Sequence, residues 1–203
     1  DRKGLMLVLS SPSGAGKTSL CKKIVSSDKN IILSVSSTTR PKRKSEIEGK
    51  DYFFSNEKEF IKQKEKNVFI ETAKVFGFHY GTPKKFVENN LNEGKDILFD
   101  IDWQGTQKLS DYSISDLVSI FILPPSTDEL KKRLKRRAED SDEIVENRMS
   151  KAKSEISHWV EYDYVLINED INSCLKKILV IIQAERSKRF RQKYIFDFVE
   201  KLT

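Results

Sequence analysis

Short apolar runs punctuate the chain at intervals, with amphipathic stretches between them. Residues 5–9 (Leu5-Met6-Leu7-Val8-Leu9) carry no polar position, and residues 19–25 then place apolar side chains at helical spacing. A run without polar alternation is what a strand covered on both faces requires. The same signature returns at residues 31–36, 96–102, 117–123 and 163–167, each predicted as a strand. Residues 83–92 predict a helix, with Pro83 in its first turn and Gly94 just past its end. Pro124-Pro125-Ser126 stops the 117–123 strand, and Ser126 followed by Glu129 reads as a capping box. Residues 127–158 predict two charged helices around an acidic linker. The last helix spans about 170–195, with Ile171, Leu175, Ile178, Leu179 and Ile182 as its buried stripe.

The 37–82 segment breaks this rhythm. A polar loop over 37–50 is followed by short strands at 51–54, 67–75 and 78–80 and a helix at 57–65, a pattern that suits a small α+β lobe inserted between core elements. Elsewhere strands alternate with helices, which predicts an α/β fold built on a doubly wound parallel sheet. Ligands of such sheets bind at the carboxyl ends of the strands. The loop after residue 9, Ser36, Asp100 and Asp102 all fall at predicted strand ends and are expected to share one crevice.

Composition narrows the classes. Of 203 residues 37% are hydrophobic and 33% charged, a soluble globular balance. The apolar runs fall well short of the roughly 18 residues of a membrane span. No leader-like segment precedes the first strand, and the two cysteines, Cys21 and Cys174, show no CxxC spacing. A cytoplasmic, reducing setting without membrane or zinc is the expectation. Lys+Arg exceed Asp+Glu by 37 to 31, a net charge of +6, with a pI near 9.1. The excess is not segregated: Glu139-Asp140-Ser141-Asp142-Glu143 closely follows Lys135-Arg136-Arg137. That mixing favours a polyphosphate-binding enzyme over a nucleic-acid binder.

The candidate chemistry starts at Ser11-Pro12-Ser13-Gly14-Ala15-Gly16-Lys17-Thr18. Between a strand and a helix, such a loop is a phosphate cradle. Amides of Ser13, Gly14, Ala15, Gly16 and Ser19 face the anion, Lys17 reaches its β/γ-phosphates, and the Thr18 hydroxyl ligates Mg²⁺. Ser11 stands where the loop usually has its first glycine. After the second strand, Arg40 and Arg43 lie three apart amid hydroxyls, suited to clamping a phosphate dianion with forked donors. Asp100, at the end of an apolar strand, suits Mg²⁺ orientation beside Thr18. Neither histidine, His79 or His158, is assigned a catalytic role.

Taken together, the phosphate loop, Ser36-Ser37-Thr38-Thr39-Arg40, Glu46-Ile47-Glu48-Gly49-Lys50-Asp51-Tyr52, Tyr80-Gly81-Thr82, Asp100-Ile101-Asp102-Trp103-Gln104-Gly105 and Pro124-Pro125-Ser126 closely resemble the guanylate kinase family over nearly the whole chain. The resemblance implies a P-loop core (about 1–36, 83–126 and 160–203), a GMP-binding lobe (about 37–82) and a helical lid (about 127–159). It implies transfer of the γ-phosphoryl of Mg-ATP to GMP, and to dGMP, in purine nucleotide metabolism. Arg40, Arg43, Tyr52 and Tyr80 would hold the GMP phosphate. Glu71 would read guanine, with Ser36 and Thr82 at O6 and Asp102 on the same edge. Arg137 and Arg148 would close on the transferred phosphoryl, Arg133 and Asn168 would lie near the adenine, and the choice between Arg136 and Arg137 stays open. Lys17, Arg43, Arg137 and Arg148 form the implied catalytic set. ATP and GMP are the implied partners, with no nucleic acid or membrane, in a monomer or homodimer. Three other readings remain: a phosphopeptide-binding scaffold module of the same fold, a kinase for another acceptor, and a nucleic-acid binder.

Overall fold

The computed structural model describes residues 2–75, 77–138 and 142–203. Its strands are β1 (Met6–Ser10), β2 (Ile31–Leu33), β3 (Ser36–Thr38), β4 (Tyr52–Phe54), β5 (Phe69–Val75), β6 (Phe78–Pro83), β7 (Asp96–Asp100), β8 (Leu117–Leu123) and β9 (Tyr164–Ile167). Its helices are α1 (Lys17–Ser27), α2 (Glu57–Glu65), α3 (Lys84–Asn92), α4 (Trp103–Ser113), α5 (Thr127–Ala138), α6 (Asp142–Ile156), α7 (Ile171–Arg186) and α8 (Ile195–Glu200).

The unbroken apolar runs form a five-stranded sheet in the order β2-β7-β1-β8-β9, with every pairing parallel. All five residues of β1 are buried. Leu7 and Leu9 face Leu20 and Ile24 of α1 and Cys174, Ile178 and Ile182 of α7. Met6 and Val8 face the other way, into a cluster with Val87 and Leu91 of α3, Leu109 of α4, Phe99 and Phe121. Two covered faces explain the missing polar alternation, and each such side chain contributes about 1.5–3 kcal/mol by leaving water. A second sheet, ordered β4-β3-β6-β5, is built from residues 36–83. Among the described residues no helix is long and apolar enough to cross a membrane.

Several boundaries differ from expectation. The strand predicted over 31–36 is two: β2 stays in the core sheet, while β3 starts at Ser36 and belongs to the second sheet. Ser36 is therefore not at a core strand end. The strand predicted over 96–102 ends at Asp100, and Asp102 instead caps α4, a helix the apolar pattern did not announce. The Asp102 carboxylate accepts from the Gly105 amide at 2.9 Å. The last long helix stops at Arg186. The basic stretch beyond it, which reads in the sequence as a solvated face, buries Arg191, whose guanidinium donates to the Ser115 carbonyl at 3.1 Å. Ser126 does cap α5, accepting from Glu129 N–H at 3.1 Å, whereas the Glu129 carboxylate turns to Arg133. The linker residues 139–141 lie outside the described residues.

Candidate active site

β1 runs up the centre of the sheet and feeds residues 11–18 onto its carboxyl end. The turn needs its glycines. Gly14 (φ +90°) and Gly16 (φ +97°) sit in the left-handed region that side chains avoid. A Cβ on Gly16 would also lie 2.6 Å from Asn168 Nδ2. Gly16 is the N-cap of α1 and brings no side-chain cap, so the first amides of the helix are left for an anion. Among the described residues Asn67 is the one non-glycine with positive φ, so Ser11 occupies ordinary backbone and the missing glycine imposes no strain. The buried Asn168 donates its amide to the Ala15 carbonyl at 2.8 Å. It braces the loop from just past the end of β9.

Above the loop opens a cleft of about 610 Å³, lined by residues 11–14 and 16–19 together with Asp100, Arg133, Arg136 and Glu155. Lys17 Nζ stands 2.7 Å from Asp100 Oδ1 and 3.3 Å from the Ile101 carbonyl oxygen. The pair preorganises a cation over the loop beside a carboxylate with open lone pairs. Thr18 is exposed at the cleft floor. Among the described residues no three acidic, His or Cys side chains cluster as a metal cage. One carboxylate and one hydroxyl are the donor set that suits Mg²⁺ arriving with nucleotide phosphates and keeping much of its own water. Burial, with the Asp100 charge behind it and Lys17 opposing, pushes the Cys21 thiol up to about 12, which leaves it an inert core residue.

The helical hairpin α5–α6 covers the cleft. Leu130 and Leu134 of α5 pack with Met149 and Ala152 of α6, and both leucines also press on Gly14. Arg133 Nε is held 2.8 Å from Glu129 Oε1, with Arg136 Nη2 3.8 Å from the same oxygen. The hydrogen bond from Arg133 holds the Glu129 carboxyl below its usual range. Arg136 is thus in the cleft wall, while the side chain of Arg137 lies outside the described residues. Arg148 is half-buried on α6 and is not part of that wall. Glu155, which no sequence signal singled out, accepts the Ser13 amide hydrogen on Oε2 at 3.1 Å.

The second sheet assembles the other group of residues. Arg40 Cζ lies 5.3 Å over the Tyr52 ring, and the Tyr52 and Tyr80 rings meet edge-on at 6.0 Å. Glu46 organises this cluster: one oxygen takes Arg40 Nη2 at 2.5 Å and the other takes the Arg43 amide at 2.8 Å. The Arg40 hydrogen bond, then the Arg43 amide, hold Glu46 below the usual carboxylate range. That bond and the Tyr80 hydroxyl raise the Arg40 pKa. The Arg43 side chain is exposed. Glu46 had a legible signal, since it opens the same short motif that contains Tyr52.

Register brings the remaining residues into one row. Ser37 pairs with Gly81 and Gly81 with Thr72, so the neighbouring step aligns Ser36, Thr82 and Glu71 across β3, β6 and β5. The Thr82 hydroxyl donates to Glu71 Oε1 at 2.8 Å; this hydroxyl, expected at a base, is engaged with the carboxylate itself. Burial raises the Glu71 pKa, opposed by the Thr82 hydrogen bond and by Lys108, and reinforced by Asp102. Residues 100–102 join the two groups, since Lys17 touches Asp100 and Ile101 while Asp102 bears on Glu71.

Comparison with known proteins meets this geometry. The guanylate kinase family model matches residues 3–185. A guanylate kinase of Novosphingobium aromaticivorans is 53% identical over 99% of this chain and 91% of its own length. One of Paramagnetospirillum magneticum is 51% identical over 100% of this chain and 94% of its own. The crystal structure of guanylate kinase from Anaplasma phagocytophilum superposes with a TM-score of 0.74 at 41% identity, covering 99% of this chain and 96% of that one. The chain belongs to the guanylate kinase family.

Proposed function

We propose that this chain transfers the γ-phosphoryl group of Mg-ATP to GMP, giving ADP and GDP, in the cytoplasm, where its two free buried thiols fit a reducing medium. The observation that carries the reading is the shared row of Ser36, Thr82 and Glu71 linked through Asp102 to the phosphate loop. It offers a half-buried carboxylate that already accepts a hydroxyl from Thr82, joined through residues 100–102 to the loop that bears Lys17. A carboxylate presents two acceptors to the N1–H and N2–H₂ donors of guanine. Adenine lacks that donor pair and leaves the carboxylate under-satisfied.

In this reading Arg40, Arg43, Tyr52 and Tyr80 hold the GMP phosphate, residues 37–82 act as the GMP lobe and residues 127–159, with α5 and α6, as the lid. Glu46 keeps Arg40 aimed before substrate arrives. Lys17 and the loop amides hold the ATP phosphates, Arg133 lies near the adenine, and Arg148 with Arg137 or its neighbour Arg136 brings positive charge from the lid. Thr18 and Asp100 hold Mg²⁺, which supplies charge neutralisation at the phosphates. The acceptor phosphate is already anionic, so no side chain needs to remove a proton from it. The residues work by positioning and by stabilising charge in a cleft that excludes water as the lid closes. An ADP-release assay with Mg-ATP and GMP, AMP, CMP or UMP in turn tests this. Turnover with GMP alone is expected; GMP binding without turnover would make the chain a binding module.

A further inference from the structure

The row that presents Glu71 is irregular. The β5–β6 ladder shifts register between Phe69 and Thr72, so Glu71 sits on a bulge, a device that re-aims one side chain out of a regular strand. One atom beyond that bulge is tied to the other part of the molecule: Lys108 Nζ, on α4, donates to the Thr72 carbonyl at 3.0 Å. Helix α4 is the helix that Asp102 caps. The charged groups that bear on Glu71 are Asp102, the N-cap of α4, and Lys108 within α4, while the hydroxyl of Thr82 reaches it from β6. Two carboxylates facing one purine edge repel each other, and a cation between helix and strand offsets that.

We infer that Lys108 is the positioning residue for base recognition: its ammonium pins the bulge that aims Glu71 and supplies the counter-charge that lets Glu71 and Asp102 face the same substrate. The inference rests on Glu71 being the base reader. Lys108 is exposed and has no part in the packed core, so its replacement tests position and charge rather than folding.

The experiment is GMP titration by calorimetry on the whole chain, in wild type, Lys108→Met, Lys108→Arg and Glu71→Gln, with a non-hydrolysable ATP analogue titrated in parallel. Lys108→Met is expected to weaken GMP binding about five- to tenfold, toward the lower part of the coupling seen between groups in one network. ATP-analogue affinity stays at the wild-type value. The deficit grows as pH falls toward the carboxylate range, because Glu71 without its cation takes up a proton more readily. Lys108→Arg restores most of the affinity. Wild-type GMP affinity in Lys108→Met, with Glu71→Gln still impaired, overturns the inference and leaves the base reader standing. Wild-type affinity in Glu71→Gln overturns the base reader and this inference with it. Equal loss of both nucleotides without rescue by arginine makes Lys108 a general structural contact and also overturns it.

Discussion

Asp96 and Asp100 begin and end the same strand, β7, yet their surroundings share nothing. Asp96 is fully buried and accepts from Arg2 at 2.6 and 2.9 Å, from the Leu5 amide at 3.0 Å and from Arg186 Nε at 2.7 Å. Asp100 has the Lys17 ammonium at 2.7 Å and keeps a side-chain exposure of 33%. At the amino end of the sheet the acid has all its acceptor capacity filled by protein. At the carboxyl end an acid of the same type, in the same strand, is left with open lone pairs. The arginines divide in the same way. Arg186 is clamped between Asp28 and Asp96, both at 2.6 Å, whereas among the described residues Arg133 and Arg136 share the single acid Glu129 and line the cleft. Saturated charge is architecture here, and half-saturated charge is available to a ligand.

The two ends separate most sharply under isosteric substitution. Asp96→Asn leaves two partly buried guanidinium groups short of their fully buried partner, and a loss of about 3–5 kcal/mol is expected. At roughly 2–4 °C per kcal/mol for a chain of this length, the melting temperature falls on the order of 10 °C, while the folded fraction keeps its kcat. Asp100→Asn does the opposite: thermal unfolding barely moves, and kcat falls by roughly 10²–10³, the effect of removing one preorganised charge from a phosphoryl-transfer site. The two acids are four residues apart, about 13 Å along a strand. The double variant should therefore show both effects unaltered. A kinetic defect in folded Asp96→Asn, or a large stability loss in Asp100→Asn, would break the distinction.

The carboxyl end was the more legible of the two. A phosphate loop is made of backbone, so its glycines, lysine and threonine must be contiguous, and a local motif reports them. Arg40, Tyr52, Glu71, Thr82 and Asp102 are scattered over some sixty positions, and composition alone places none of them; the family's pattern of motifs did. What neither route announced follows from register and from tertiary contact. The bulge under Glu71, the hold of Lys108 on Thr72, the seat of Asn168 beneath Ala15 and the contact of Glu155 with Ser13 all join distant segments. The same holds at the amino end. The basic stretch after Arg186 has the look of a solvated surface, and only folding reveals that Arg191 is buried against Ser115 and that Arg186 closes on Asp96. Helix α4 escapes the apolar pattern because its buried stripe is short, Gly105, Thr106 and Leu109, although Asp102 stands as its cap.

Glu71 lies between the two extremes, half-buried and partly satisfied, and it allows both readouts in one variant. Burial raises its folded pKa above the ordinary carboxylate value. The unfolded chain therefore gives up this proton at lower pH than the folded chain. Its contribution to stability is most favourable below the ordinary carboxylate range and is lost as pH rises through the raised value. Glu71→Gln removes that penalty and keeps an oxygen for Thr82. A rise in melting temperature of about 1–3 °C is expected at neutral pH, vanishing below about pH 4. Alongside it, kcat/KM for GMP falls by roughly 10². A variant that loses both stability and GMP turnover would place Glu71 with Asp96, among the architectural acids.

The smallest effect concerns Glu155, which accepts from the phosphate loop at 3.1 Å and lines the same cleft. In the proposed reading this carboxylate of α6 stands near where a nucleotide phosphate is to be held, and two anions at such range repel. Glu155→Gln keeps an acceptor for the Ser13 amide and removes only the charge. Titration with a non-hydrolysable ATP analogue is expected to show about threefold tighter binding, with GMP affinity unchanged and the gain shrinking in 1 M salt, where screening acts within about 3 Å. Tighter binding would put Glu155 among the half-saturated groups, an acid that yields its place to substrate. Weaker binding would mean that its charge holds the loop in its receptive shape, and the carboxyl end of the sheet would then contain one architectural acid of its own.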